Sequence, residues 1–344
     1  MTKALSELTT IRVGGTPSEI FVAHTRDDLI EHTLEVWRSG DDWLLLGGGS
    51  NMVVADDISN LRVIQVANRG IEATPTLDGK VRLRIQAGEN WDELVRSSVE
   101  QGLAGIEAMA GIPGTVGAAP VQNIGAYGQE LSDVLVRIEF LDYETHELAV
   151  LEATELGFDY RSSIIKRGRA GVITWVELEL QKLGGLSRPL YTSQVAADLG
   201  VSMGDQVPLA DVRNSVLKLR AQKGMVLDAN DPDSVSCGSF FTNPIVSDSF
   251  ARTLPTEAPR WESEDDDGLT VKLSAAWLIE QAGIGRGFTL GKSNASVSSK
   301  HTLAIVNRGG ATAAEITELA RFIQERVAAK FGINLVPEPN LIGF

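Results

Sequence analysis

Two glycine-rich stretches hold the residue types and spacing that suit ligand chemistry. Residues 105–128 contain six glycines, two prolines and few charges. Each glycine costs roughly 1 kcal/mol in a helix interior, so this stretch is no ordinary helix. Glycine allows positive φ and lets the backbone approach a ligand closely. Bare N–H groups in such loops form anion nests that hold a pyrophosphate without Lys or Arg. A tight structural loop has the same composition, so this stretch alone leaves both readings open. The second stretch, Gly47-Gly48-Gly49-Ser50-Asn51, follows a short apolar strand. Two neutral loops about 60 residues apart suit convergence on one diphosphate ligand.

Other patterns carry less. G-x-G-x-x-G is absent, and with it the dinucleotide fingerprint of a doubly wound sheet. Gly291-Lys292-Ser293 ends like a P-loop, but Arg286 stands where that motif needs glycine. The single cysteine, Cys237, excludes an internal disulfide and any multi-cysteine metal site. It reads as a small buried filler rather than a reactive thiol. His24, His32, His146 and His301 lack metal-ligand spacing, so no metal is expected.

The elements that must position the loops fall into three parts. In residues 1–66, segments 19–23, 42–46, 52–55 and 62–66 read as strands. Residues 27–39 read as a helix, with Leu29, Ile30, Leu34, Val36 and Trp37 apolar. In residues 67–217, Val81, Leu83 and Ile85 alternate within a strand over 80–87. Residues 90–101 have helical spacing closed by Gly102. Strands follow at 134–143, 147–151 and 172–180. In residues 218–344, segments 274–282 and 312–331 read as helices and 303–306 as a strand. Residues 262–267, with five acids in six positions, read as a solvated loop.

Length and charge bound the rest. At roughly 150 residues per domain, 344 residues suggest two or three domains. Thirty-one basic and 46 acidic residues give a net charge of −15, a field that repels nucleic acid and anionic membrane. Glycine is enriched, at 34 of 344 residues against a usual ~7%. The first residues lack a signal peptide's apolar core, and no apolar run reaches ~18–20 residues, so a cytoplasmic enzyme is expected.

Five blocks, taken in order, carry a resemblance. They are Gly47 through Asn51, residues 111–128, Tyr160-Arg161, Gly238-Ser239-Phe240-Phe241-Thr242-Asn243-Pro244 and Pro337-Glu338-Pro339. Over nearly the whole chain these resemble the UDP-N-acetylenolpyruvoylglucosamine reductase (MurB) family. The first two blocks alone fit the wider family of FAD enzymes with two glycine-rich loops. The Gly-Ser-Phe-Phe block and the terminal Glu narrow it.

The resemblance implies an α+β fold. A two-subdomain FAD-binding module of the two-glycine-loop (PCMH/VAO-like) type would occupy residues 1–66 and 67–217. A C-terminal α+β substrate-binding domain, residues 218–344, would follow, its tail returning Glu338 to the active site. The implied cofactors are FAD and NADPH. NADPH reduces bound FAD, and the flavin reduces UDP-N-acetylglucosamine enolpyruvate to UDP-N-acetylmuramate, a peptidoglycan precursor. Hydride from flavin N5 reaches C3 of the enolpyruvyl group, and Ser239 protonates C2. Arg161 presents a guanidinium fork to the substrate carboxylate. Glu338 binds, orients or polarises it.

Residue by residue, the implied FAD contacts are Gly47, Gly48, Gly49, Ser50, Asn51 and Met52 from the first loop. From the second they are Gly111, Ile112, Pro113, Gly114, Gly117, Ala118, Gln122, Asn123, Gly125, Ala126 and Tyr127. The implied substrate contacts are Tyr160, Lys223 and Asn243, with Tyr191 as the loop tyrosine of the subtype that closes over the UDP moiety. Segment 224–236 looks longer than in some members and carries Asp228, Asp231 and Asp233. A monomer acting on a small molecule is expected, with no nucleic-acid or membrane partner. Two alternatives stand beside this reading. One is an FAD-dependent alcohol oxidase of the same flavin-binding family, although neither loop contains the histidine to which such oxidases often attach FAD. The other is a non-enzymatic nucleotide-sugar binding module.

Overall fold

Strands Glu19–Ala23, Arg62–Val66 and Trp43–Leu46 lie side by side in that order, all parallel. Parallel neighbours need a crossover, and the helix Arg26–Ser39 supplies one. Thr25 caps it reciprocally with Asp28, each side chain accepting the other's backbone N–H at 3.0 Å. Gly40, at φ 73°, ends it. Its apolar stripe, Leu29, Val36 and Trp37, packs with Ala23, Ile64 and Val66 of the sheet. The computed structural model describes residues 2–265 and 268–344.

This sheet belongs to the first of two units, built mainly of Pro17–Gly49 and Ser59–Gln222. The same unit holds a larger antiparallel sheet. Its order is Leu148–Glu152, Leu135–Asp142, Gly171–Lys182, Lys80–Gln86, Ile71–Pro75. Leu103–Ala104 also pairs with Gly171–Lys182. Lys80–Gln86 buries Val81, Leu83 and Ile85 on one face and exposes Arg82 and Arg84 on the other. Gly171–Lys182 sits centrally and is buried on both faces over most of its length. Helix Trp91–Glu100 starts at Asn90, whose side chain accepts the Glu93 N–H. Helices Ser193–Leu199 and Leu209–Gln222 pack together, and the second also covers the turn Glu107–Met109.

The second unit gathers Ala4–Thr16, Ser50–Ile58 and Lys223–Phe344. Strand Met52–Val54 pairs in parallel with Asn340–Ile342 near the C-terminus. Ile245–Ser247, Gly268–Leu273 and Arg260–Asp265 form an antiparallel sheet, and Ala295–Val297 pairs with Ile305–Asn307. Helix Ala313–Phe331 opens on a capping box between Thr312 and Glu315. The Asp56 carboxylate accepts the otherwise orphaned N–H groups of Ala313 and Ala314 at 3.0 and 3.3 Å. This helix buries Ile316, Leu319, Ile323 and Val327 beside Leu278 and Ile279 of helix Ala275–Gln281.

One sequence expectation is corrected here. The acidic segment read as a loop over 262–267 is a paired strand as far as Asp265, while Asp266 and Asp267 lie outside the described residues.

Candidate active site

The two glycine loops meet in the first unit. Strand Trp43–Leu46 ends at Gly47 and carries the first loop onto the second. A Cβ on Gly48 would lie 2.7 Å from the Gly114 Cα, and one on Gly47 would lie 2.5 Å from Thr115 Oγ1. At Gly48 backbone therefore faces backbone with no room for a side chain between, and at Gly47 the space is taken by the Thr115 side chain. Gly111 and Gly114 have φ of +71° and +125°, which L side chains rarely adopt. Gly117 is required for packing, since its Cβ would lie 2.5 Å from that of Ala87.

Residues 87–92 hold the second loop in place. Val116 donates to Glu89 O and Gly117 to Ala87 O, both at 2.8 Å, and Gly111 N–H reaches Asp92 Oδ1 at 2.7 Å. These three N–H groups are thus engaged within the protein. Trp91 returns two bonds, from its N–H to Gly114 O and from its indole to Met109 O, each 3.1 Å. A cradle of closely opposed glycine backbone, stiffened from behind, fits the diphosphate of a dinucleotide such as FAD.

Arg161, also in this unit, adopts a left-handed φ of 52°. Its guanidinium donates to Gly125 O at 2.6 Å and Asn123 O at 3.3 Å, and it lies over the Tyr160 ring. Asn123 and Tyr127 are left-handed too, at 43° and 48°. Non-glycine residues in this region store strain, and the surrounding hydrogen bonds hold it. Tyr127 is half-buried, and desolvation raises its pKa despite the attraction of Arg220. Arg220 itself is pushed down by burial, opposed by Tyr127 and Asp92 and assisted by Arg161. Asp92 further pairs with Arg213 at 3.1 Å. Sequence reading missed Asp92, Arg213 and Arg220. The available signal was the seven-residue spacing of the two arginines, which places both on one face of Leu209–Gln222.

Ser239 and Glu338 belong to the second unit. Phe240 and Phe241 are buried anchors, and Phe240 N–H donates to Leu303 O at 2.7 Å. The C-terminal tail runs antiparallel to them. Phe241 bridges to Pro337, Thr242 N–H donates to Val336 O at 3.0 Å, and Glu338 N–H donates to Phe240 O at 2.9 Å. Glu338 is thereby fixed beside the residue that follows Ser239, and both are half-buried. On its other side the tail meets the end of the first glycine loop. Asn51 Nδ2 donates to Glu338 O at 3.4 Å, and Asn340 N–H to Asn51 O at 3.0 Å.

Other expected site residues have varied settings. Asn243 accepts the Ala275 N–H at 3.0 Å and so caps a helix. Burial lowers His301 to a pKa of about 4, and Lys223 and Arg286 lower it further, so Lys223 shares a basic locality with Arg286 around a neutral imidazole. Tyr191, in the first unit, is exposed. Cys237 is buried, which with the nearby Glu338 charge pushes its thiol up to about 12. Burial would raise Asp233, but Ser299, Ser298 and Arg308 hold it down to about 2. The long segment 224–236 is thus fastened to residues 298–308. Among the described residues, no His, Cys, Asp and Glu cluster is arranged to hold a metal.

The family model described as FAD binding domain matches residues 17–149. That described as UDP-N-acetylenolpyruvoylglucosamine reductase, C-terminal domain, matches residues 231–342. A UDP-N-acetylenolpyruvoylglucosamine reductase of Leifsonia xyli subsp. xyli is 53% identical, over 99% of this chain and 98% of the relative. The chain belongs to the UDP-N-acetylenolpyruvoylglucosamine reductase family. The family reductase of Thermobifida fusca is 48% identical over 98% of this chain and 96% of its own. Among solved structures, the family reductase (MurB) of Thermus caldophilus superposes with a TM-score of 0.66 at 27% identity, over 99% of this chain and 97% of that one. Family membership makes the chain an oxidoreductase with an FAD-binding domain, and the α+β fold agrees with it.

Proposed function

We propose that this protein reduces UDP-N-acetylglucosamine enolpyruvate to UDP-N-acetylmuramate with NADPH, through bound FAD, in the cytoplasm. The observation that supports the reading is the backbone pairing of Phe240 and Phe241 with the tail at Pro337 and Glu338, which brings the segment carrying Ser239 beside the one carrying Glu338. Residues 1–66 and 67–217 serve as FAD-binding subdomains and 218–344 as the substrate domain, with segments 4–16 and 50–58 folding into the second unit. The backbone of Gly47, Gly48, Gly49 and Gly114 would hold the FAD diphosphate, while Gly111, its N–H taken by Asp92, shapes the turn between them.

When bound, FAD supplies the hydride, taken from NADPH, that adds to C3 of the enolpyruvyl group. Negative charge develops at C2 and spreads into the substrate carboxylate. Arg161 stabilises that charge with a fork whose orientation is already set by the carbonyls of Asn123 and Gly125. Ser239 delivers its hydroxyl proton to C2. Serine is a weak acid, so the transfer requires a strongly basic carbon held close to Oγ. Glu338 orients the substrate carboxyl beside it. Lys223, with Arg286 nearby, contacts the diphosphate and Asn243 the sugar, and Tyr160 and Tyr191 are further substrate contacts. The test is NADPH oxidation by the yellow protein with and without UDP-N-acetylglucosamine enolpyruvate. Turnover should require that substrate.

A further inference from the structure

Glu107 opens the second glycine-rich segment and takes no part in the chemistry above. The residue is 1% exposed, which is rare for a carboxylate unless it is well bonded. Its two oxygens reach different parts of the first unit. Oε2 accepts the Gly105 N–H at 2.6 Å, and Oε1 accepts the Arg188 N–H at 3.1 Å. Ala108, next in sequence, donates to Gln129 Oε1 at 2.8 Å.

Arg188 lies in a stretch clamped from its other side. Ser187 N–H donates to Val207 O at 2.7 Å, Gln206 Nε2 donates to Ser187 O at 2.8 Å, and Leu190 N–H donates to Asp205 O at 3.0 Å. Tyr191 follows directly. It packs onto Gly128, where an added Cβ would lie 3.1 Å from Tyr191 Cβ. Gly128, at φ +83°, thus meets two demands that only glycine satisfies together. Glu107, Tyr127, Arg188 and Tyr191 line one cavity of about 280 Å³.

We propose that Glu107 is a positioning residue for the substrate-closing tyrosine: its carboxylate ties the Tyr191 loop at Arg188 to the start of the flavin-binding segment at Gly105. The tie holds Tyr191 on Gly128, beside Tyr127, before substrate arrives. Ordering a loop in advance removes part of the entropy cost of closing it on a ligand. The inference rests on the reading of Tyr191 as a substrate contact. Glu107→Gln keeps the shape but offers an NH2 to one of the two N–H donors, so one bond is lost and two donors face each other.

The experiment compares wild type, Glu107→Gln, Tyr191→Ala and the double variant. It reads KM for UDP-N-acetylglucosamine enolpyruvate, the rate of flavin reduction by NADPH, and FAD content. Losing one charge-assisted bond should raise KM about tenfold in Glu107→Gln, with FAD content and flavin reduction unchanged. In the Tyr191→Ala background the same change should add nothing. Additive effects, an unchanged KM, or loss of FAD in Glu107→Gln would each overturn the tie. A wild-type KM in Tyr191→Ala would instead overturn the reading of Tyr191, and the tie with it.

Discussion

Gly48 faces Gly114 across the two loops so closely that a methyl on Gly48 would lie 2.7 Å from the Gly114 Cα. The Gly114 backbone cannot retreat freely, because its carbonyl accepts the Trp91 N–H at 3.1 Å. Gly48→Ala should therefore separate the loops and weaken FAD binding by about 5- to 150-fold, the effect of ~1–3 kcal/mol of overpacking. Gly285→Ala is the control, since its added Cβ meets nothing within 4 Å and its φ is ordinary. Flavin-to-protein ratio and a fluorescence titration with FAD read both. Wild-type flavin affinity in Gly48→Ala would show that the contact does not shape the cofactor cradle.

Ser239→Ala separates the two half-reactions. Flavin reduction by NADPH should persist, because it needs no proton at C2 of the sugar substrate. Reduction of the enolpyruvyl group should fall by about 10²–10⁴-fold, the usual contribution of a general acid. Stopped-flow absorbance resolves the two steps. Equal loss in both would remove Ser239 from the proton-donor role.

Cys237 should resist modification. A buried thiol pushed up to about 12 has almost no thiolate at pH 8, and thiolate is the reactive form. Iodoacetamide should label it only after denaturation, as read by intact mass. Cys237→Ala should retain flavin and activity. Rapid labelling of the native protein would mean that the Phe240–Phe241 region opens readily.

Asp233 makes stability depend on pH in a defined window. Its folded pKa of about 2 lies below the ordinary 3.8, so its contribution is complete above pH ~4 and disappears as pH falls toward 2. At pH 7, Asp233→Asn should cost ~1–2 kcal/mol after allowance for screening, seen as a lower Tm. The gap between variant and wild type should close between pH 4 and 2. A gap that persists unchanged at pH 2 would point to lost packing rather than lost charge.

How legible these features were in the sequence depended on burial. Helix Arg26–Ser39 and strand Lys80–Gln86 bury one regular face, so their spacing is readable. Ile71–Pro75 is exposed at all five positions and carries no such signal. Helix Leu209–Gln222 buries Ser215 alongside Leu209, Val212 and Val216, and its face toward Asp92 carries Arg213 and Arg220, so hydrophobic spacing alone hides it. The return of segments 4–16 and 50–58 to the C-terminal unit is a long-range event that local pattern does not encode. At the site, glycine composition was enough to anticipate that the loops meet. The pairing of Phe241 with Pro337 was not, because nothing local links residues so far apart. Resemblance alone drew attention to Ser239 and Glu338.

The most direct test is anaerobic. The protein, reduced by one equivalent of NADPH, is mixed with UDP-N-acetylglucosamine enolpyruvate, and flavin absorbance and product are followed together. The flavin should return to its oxidised yellow form with one UDP-N-acetylmuramate formed per flavin. A flavin that stays reduced until oxygen is admitted, with no product formed, would contradict a reductase and favour an oxidase.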